Sequence, residues 1–285
     1  MATLLTKGYV VAVPDYQGLG LGGSYHPYLD ATTAGNNMID AVRVARKLVP
    51  DTSTRWLAYG ASQGGQASWA ANELADSYGS GLNLIGSVSL APAADVEGLA
   101  DAAAAGKLTL EQAVVVPWLL WALKKEHPEL NLDDYRRGIV EQRWDVFTAC
   151  DGPLAGERSE LAKQITPDDL RPVSTQATDL LRQYLQKMSV PKTRSSAPML
   201  IVFGLEDRLI AAQWTADAVK RACDMGAVAE SYAAPGRGHT DIDPLIALAW
   251  LGDRFSGSVP VDMCGSLDGP VATLSDKPWY VGGGS

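Results

Sequence analysis

The 285-residue chain is 46% hydrophobic and 20% charged, an ordinary globular composition long enough for one large domain or a domain carrying a sizeable insertion. Its formal net charge of −9 excludes nucleic acid as the partner, since nothing here would neutralise phosphates, and towards a neutral substrate the sign bears only on solubility. The longest apolar run, AVVVPWLLWAL (113–123), falls short of the roughly 20 residues that cross a bilayer and contains Pro117, so it reads as a core or interfacial helix.

The first residues, MATLLTKGYVVAVPDY, lack the order of regions that a signal peptide needs, so no export signal is expected in the chain as given. GYVVAVPDYQGLG (8–20) opens on a β-branched apolar run and breaks at Pro14 and a cluster of glycines, which predicts a buried strand running into a loop. Helical spacing of Met38, Ile39, Val42 and Leu48 predicts a helix over 31–49. RWLAY (55–59) reads as a short strand, 66–78 as a helix after a glycine turn, and LNLIGSVSL (82–90) as a further strand ending at Pro92.

From 93 to 196 the periodicity is helical throughout, which predicts an all-helical insertion. Thr109–Gln112 has the form of a capping box, and Thr166 that of an N-cap followed by proline. Beyond it, APMLIVFG (197–204) predicts a strand, 211–225 a helix, 227–236 a weaker strand and 242–255 a last helix. The tail from 257 reads as loop and ends in the linker-like GGGS. Strands alternating with helices predict an α/β fold with a mostly parallel sheet covered on both faces, its core formed by 1–92 and 197–285.

Such sheets gather ligands at the carboxyl ends of their strands, where Asp15, Ser62, Asp207 and His239 all fall. Ser62 lies in YGASQGGQA (59–67), whose G-A-S-Q-G between strand and helix is the setting of a nucleophile elbow. A serine becomes nucleophilic at neutral pH only beside a base. Of the three histidines, His127 sits in a charged stretch and is expected to be solvated, and His26 could line the site mouth. His239 follows the last strand in a glycine-rich loop and fits the chain order Ser…Asp…His. The acid that would orient it is expected at Asp207, with neighbouring Glu206 as the alternative. Asp241 and Asp243 are expected to cap the last helix. One oxyanion donor should be the N–H of Gln63, the other that of Asp15 or a neighbour in its loop.

With these segments in line, the chain resembles the secretory lipase family of α/β-hydrolases, which includes the yeast lipase A group and actinobacterial relatives. The resemblance rests on GYVVAVPDYQGLG, YGASQGGQA, GLEDRLI and APGRGHTD and extends over nearly the whole chain. It implies the α/β-hydrolase fold with 93–196 as a helical cap, hydrolysis of carboxylic esters, and secretion. It carries over Ser62 as nucleophile, Asp207 as acid and His239 as base, and it favours Asp15 as partner to Gln63 in the oxyanion hole. Composition alone leaves Cys150, Cys223 and Cys264 either all free or with one pair bridged; the resemblance implies a Cys223–Cys264 bridge and an oxidising compartment. Members carry further strands before the GYVV strand, so the resemblance implies a sheet lacking its N-terminal strands and open to self-association at its edges.

Tyr16, His26, Trp118 and Trp121 are the candidate substrate-binding residues. The tryptophans stand among Val114–Trp121, an apolar stretch that packs the cap, lines an acyl tunnel, or does both with different faces of one helix. An acyl ester or lipid is the expected substrate, with transient contact to a lipid interface. No metal or organic cofactor is called for. Acyltransfer or peptide hydrolysis on the same triad, or a folded chain without turnover, are the alternative functions.

Overall fold

A computed structural model describes residues 2–20, 25–267 and 269–274, and the GGGS end lies outside them. The chain divides into two compact units, Met1–Tyr16, Ala31–Ala94 and Val190–Ser285 in the first, and Gln17–Asp30 and Asp95–Ser189 in the second. Residues 17–30, which the sequence places with the core, thus group with the second unit.

In the first unit, α1 (Ala2–Thr6) and α2 (Ala31–Leu48) precede β1 (Arg55–Ala61), α3 (Gln63–Tyr78) and β2 (Asn83–Leu90). The second unit holds α4 (Gly98–Ala104), α5 (Leu110–Glu126), α6 (Gly138–Gln142), α7 (Trp144–Thr148), α8 (Gly152–Ala162) and α9 (Thr175–Met188). The first resumes with β3 (Met199–Gly204), α10 (Ala212–Asp224), β4 (Ala229–Ala234), α11 (Leu245–Ser256) and β5 (Ala272–Thr273). The five strands form one sheet in the order β1-β2-β3-β4-β5, every pair parallel.

The strands β3 and β4 are buried along their whole length, as strands covered on both faces must be. On one face Trp69, Met199, Ile201, Phe203 and Val219 form a core cluster; on the other Val88, Leu200, Val202, Ala247 and Trp250 form a second. Fully buried Asn72 on α3 ties helix to sheet, donating through Nδ2 to Ser87 Oγ (2.8 Å) and the Ala197 carbonyl (2.9 Å) and accepting the Ala197 N–H at 2.8 Å. Ser68 and Ser89 add bonds to the Val88 and Gly65 carbonyls, so α3 is anchored to β2 directly below the strand end.

Two expected elements differ. Residues 9–16 form no strand: Val10 is 46% and Val13 69% exposed, and no ladder pairs with this segment. A β-branched run becomes a strand only where a neighbouring edge supplies hydrogen bonds, and among the described residues the segment has none. In the tail, a stretch expected as loop adds β5 at the edge of β4, with Tyr232 opposite Ala272.

The second unit is helical, without a strand among its described residues. Thr109 closes the expected capping box, accepting the Gln112 N–H at 3.1 Å while Gln112 Oε1 accepts the Thr109 N–H at 3.0 Å. At Thr166 the segment Pro167–Leu170 is a 3-10 turn, held by Asp169 Oδ2, which accepts from both the N–H and the hydroxyl of Thr166. Leu119, Leu120, Leu123, Val140, Val146 and Phe147 are its buried core. No helix among the described residues is long and apolar enough to cross a membrane.

Candidate active site

The turn from β1 to α3 is set by sterics before any chemistry. Ser62 takes φ 56° and ψ −120°, a region that side chains avoid. A Cβ on Gly60 would run into the backbone of Gly64, so only glycine permits the turn to close this tightly. The strained residue is pinned at both ends. Its N–H donates to the Leu90 carbonyl (2.9 Å), and its carbonyl accepts the N–H groups of Gln66 and Ala93 (3.1 Å each). Strain of this kind costs on the order of 1–3 kcal/mol and persists where neighbours over-determine it, as these three bonds do.

The hydroxyl so presented meets an imidazole. Ser62 Oγ lies 2.8 Å from His239 Nε2, and His239 Nδ1 lies 2.7 Å from Asp207 Oδ2. An ionised carboxylate only accepts, so Nδ1 carries the imidazole proton and Nε2 accepts from the serine hydroxyl. The Asp207 side chain is 1% exposed and its other oxygen accepts the N–H groups of Leu209 and Ile210, at 2.8 Å each. Both carboxylate oxygens are therefore partnered in the protein, which fixes the orientation of the side chain. Exposed Glu206, the alternative acid, uses its N–H to bond the Arg237 carbonyl at 2.9 Å.

That bond belongs to a seam between two loops. The Leu205 N–H donates to Ala234, and a Cβ on Gly204 would run into the Arg237 carbonyl. The end of β3 and the loop after β4 are thereby held against each other, which carries Asp207 to His239. Asp243 is not the N-cap of α11, a place taken by Pro244, but from one residue earlier its Oδ1 accepts the N–H of Leu245, the first residue of the helix, at 2.9 Å. Asp241 does not cap the helix: its Oδ1 accepts the Gly238 N–H at 2.6 Å, because the glycine-rich turn brings that donor closer than the helix end. Chemically, a serine hydroxyl, a base and a buried acid stand in relay above the first turn of a 16-residue helix, whose N–H groups have no carbonyl four residues earlier in the helix.

Gln63 is the first residue of α3, and Asp15 is exposed in the irregular 9–16 segment of the same unit. Tyr16 brings its hydroxyl to 3.7 Å from where a Cβ on Gly64 would lie, and burial pushes its phenol pKa up. His26, Trp118 and Trp121 belong to the second unit. There His26 Nδ1 donates to the Gln17 carbonyl (2.9 Å), and Trp118 meets Tyr28 edge-on, ring centroids 6.0 Å apart. The Arg158 guanidinium covers the Trp118 ring at 4.1 Å and the Lys125 ammonium the Trp121 ring at 5.5 Å. Cys223 and Cys264 form a disulfide, and Cys150 is free and exposed. The bond between Asp241 and Gly238 has no signature in the sequence beyond an aspartate three residues after a glycine.

The sequence model of the secretory lipase family matches residues 1–263. The probable inactive lipase of Mycobacterium tuberculosis (strain CDC 1551 / Oshkosh) is 26% identical over 288 residues, covering 92% of this chain and 58% of that protein. Candida antarctica lipase A in its closed state superposes with a TM-score of 0.65 at 18% identity, over 87% of this chain and 59% of the lipase. The rice cell wall degrading esterase LipA from Xanthomonas oryzae, in a ligand-bound form, gives 0.67 at 16% identity, over 82% of this chain and 66% of the esterase. At these identities the likeness is one of fold, the α/β-hydrolase fold. The chain spans slightly under three fifths of the length of its mycobacterial relative and of the Candida lipase.

Proposed function

The chain belongs to the secretory lipase family, and on that premise we propose that it is a carboxylic ester hydrolase working through an acyl-enzyme on Ser62. The observation that carries the reading is the relay Ser62–His239–Asp207, with contacts of 2.8 and 2.7 Å. His239 takes the hydroxyl proton as Ser62 attacks the ester carbonyl, and Asp207 stabilises the imidazolium that forms. The N–H groups of Gln63 and Asp15 receive the oxyanion. His239 then returns its proton to the leaving alkoxide, and water, deprotonated by the same imidazole, releases the acid. The helical unit 93–196 serves as a cap. Tyr16, His26, Trp118 and Trp121 remain the candidate substrate-binding residues, aromatic groups that suit acyl esters or lipids met at an interface.

The Cys223–Cys264 bridge supports secretion, because disulfides persist in oxidising compartments. The decisive experiment is labelling with a fluorophosphonate, read by mass spectrometry, alongside turnover of p-nitrophenyl esters. Modification at Ser62 and its loss in Ser62→Ala are expected. Native protein that resists labelling while remaining folded overturns the reading.

A second reading, a folded chain without turnover, is favoured by one observation: the segment bearing Asp15 is irregular and joins no strand of the sheet among the described residues, so the Asp15 N–H is held by no ladder. Slow labelling of Ser62 without steady turnover is its signature. Turnover of anilides, or of esters only when an acceptor alcohol is present, would instead assign peptide hydrolysis or acyltransfer to the same triad.

A further inference from the structure

The loop that presents His239 runs from Pro235 to Pro244 between β4 and α11 and carries neither helix nor strand. It contains two glycines, and Gly236 takes φ 67° with no atom near the place of its Cβ. A loop of this composition has many backbone states, and each residue fixed in one of them costs folding entropy. Yet His239 must hold both Nδ1 and Nε2 within hydrogen-bond reach of fixed partners. Upstream, the loop is tied through the Arg237 carbonyl, which accepts the Glu206 N–H at 2.9 Å. Immediately before the imidazole, the tie is Asp241, whose Oδ1 accepts the Gly238 N–H at 2.6 Å. The bond folds the chain back around His239 and closes Gly238–Asp241 into a turn with the histidine as its second residue.

We propose that Asp241 is a positioning residue for His239: by accepting the Gly238 N–H it locks the turn that aims the imidazole at Ser62. The proposal rests on the ester-hydrolase reading of the site. Asp241 is two residues from the base, is exposed, and has no contact with Ser62 or Asp207 in the relay, so its effect passes through the backbone. What matters is the acceptor, which asparagine also offers and alanine does not.

The test compares Asp241→Ala, Asp241→Asn and Asp243→Ala in the full chain, with p-nitrophenyl butanoate kinetics, fluorophosphonate labelling rates and thermal melts. Misplacing a catalytic group by even about 1 Å costs up to 10²-fold, so D241A is expected to lower kcat and the labelling rate about tenfold with KM unchanged. D241N should keep kcat within about threefold of the parent, because the turn survives. D243A removes the acceptor for the first N–H of α11 and should lower the melting temperature without lowering kcat. The proposal falls if D241A turns over like the parent, if D241A and D241N lose activity equally, or if D241A changes only the melting temperature. Parent protein that is folded and unlabelled overturns the ester-hydrolase reading and this proposal together, whereas active parent with unaffected D241A overturns this proposal alone.

Discussion

Gly60 and Gly64 face each other across the elbow so closely that a Cβ on Gly60 would enter the carbonyl of Gly64. The reverse substitution is different: a Cβ on Gly64 would meet only the Tyr16 hydroxyl, at an ordinary 3.7 Å. The two glycines of the motif therefore act unequally. Gly60→Ala forces β1 and the first turn of α3 apart and displaces Ser62 from His239. It should reduce fluorophosphonate labelling by about 10²-fold or more and lower the melting temperature. Gly64→Ala should melt like the parent. Equal melting temperatures and labelling rates in G60A and parent would show that the elbow relaxes more easily than its contacts imply.

The acids of the β3 loop separate just as sharply. Asp207 is buried and triply bonded, while Glu206 is exposed and bonded here through its backbone. Asp207→Asn preserves the shape but can turn an amide N–H towards Nδ1, which favours the wrong imidazole tautomer. Losses on the order of 10³–10⁴-fold in kcat are expected for such a change. Glu206→Gln keeps the backbone bond and should stay within about twofold. Steady-state kinetics on both variants decides the assignment, and comparable losses would remove Asp207 from its proposed role.

Much of this site is legible in the sequence because its parts sit where periodicity changes. Ser62 and Asp207 follow apolar runs that break at glycine, and His239 stands in a glycine-rich loop after a third, so the strand ends mark them. What is not legible depends on partners distant in the chain. The run at 9–13 has the composition of a strand, yet composition cannot tell whether an edge lies beside it. Asp241, next to a helix start, is read as a cap by local rules, and only the fold shows that the Gly238 N–H reaches it first. The two-residue β5 is likewise created by the edge of β4 rather than by its own Ala-Thr.

The Cys223–Cys264 bridge closes a loop of 41 residues in sequence separation that contains β4, the His239 loop and α11. Cross-linking a loop of that length removes unfolded-state entropy worth about 4 kcal/mol. Reduction, or the Cys223→Ser/Cys264→Ser pair, should lower the melting temperature by several degrees and weaken activity, since His239, the proposed base, lies inside the loop. Thiol titration of the unreduced, denatured chain should find one reactive cysteine, Cys150. Three would show that the bridge does not form.

Glu73 on α3 gives stability a pH dependence of unusual sign. Burial pushes its pKa from the ordinary 4.5 to about 7, although the N–H groups of Lys192 (3.0 Å) and Thr193 (3.3 Å) and the Lys192 ammonium pull the other way. The Trp69 indole adds a further bond that favours the anion, yet burial outweighs all of these, which is why the anion stays disfavoured. A carboxyl whose pKa is higher folded than unfolded binds more protons in the native state. Its contribution is complete below about pH 4.5 and is lost as pH rises through about 7. Glu73→Gln keeps an acceptor for the two backbone donors and removes the charge. The variant should melt like the parent near pH 4.5 and be more stable at pH 8, by an amount on the order of 3 kcal/mol. Melting curves of both proteins across this range give the difference directly, free of the other titrating groups they share. A constant offset, or a variant that loses stability as pH rises relative to the parent, would show that Glu73 ionises in the fold as freely as it does in water.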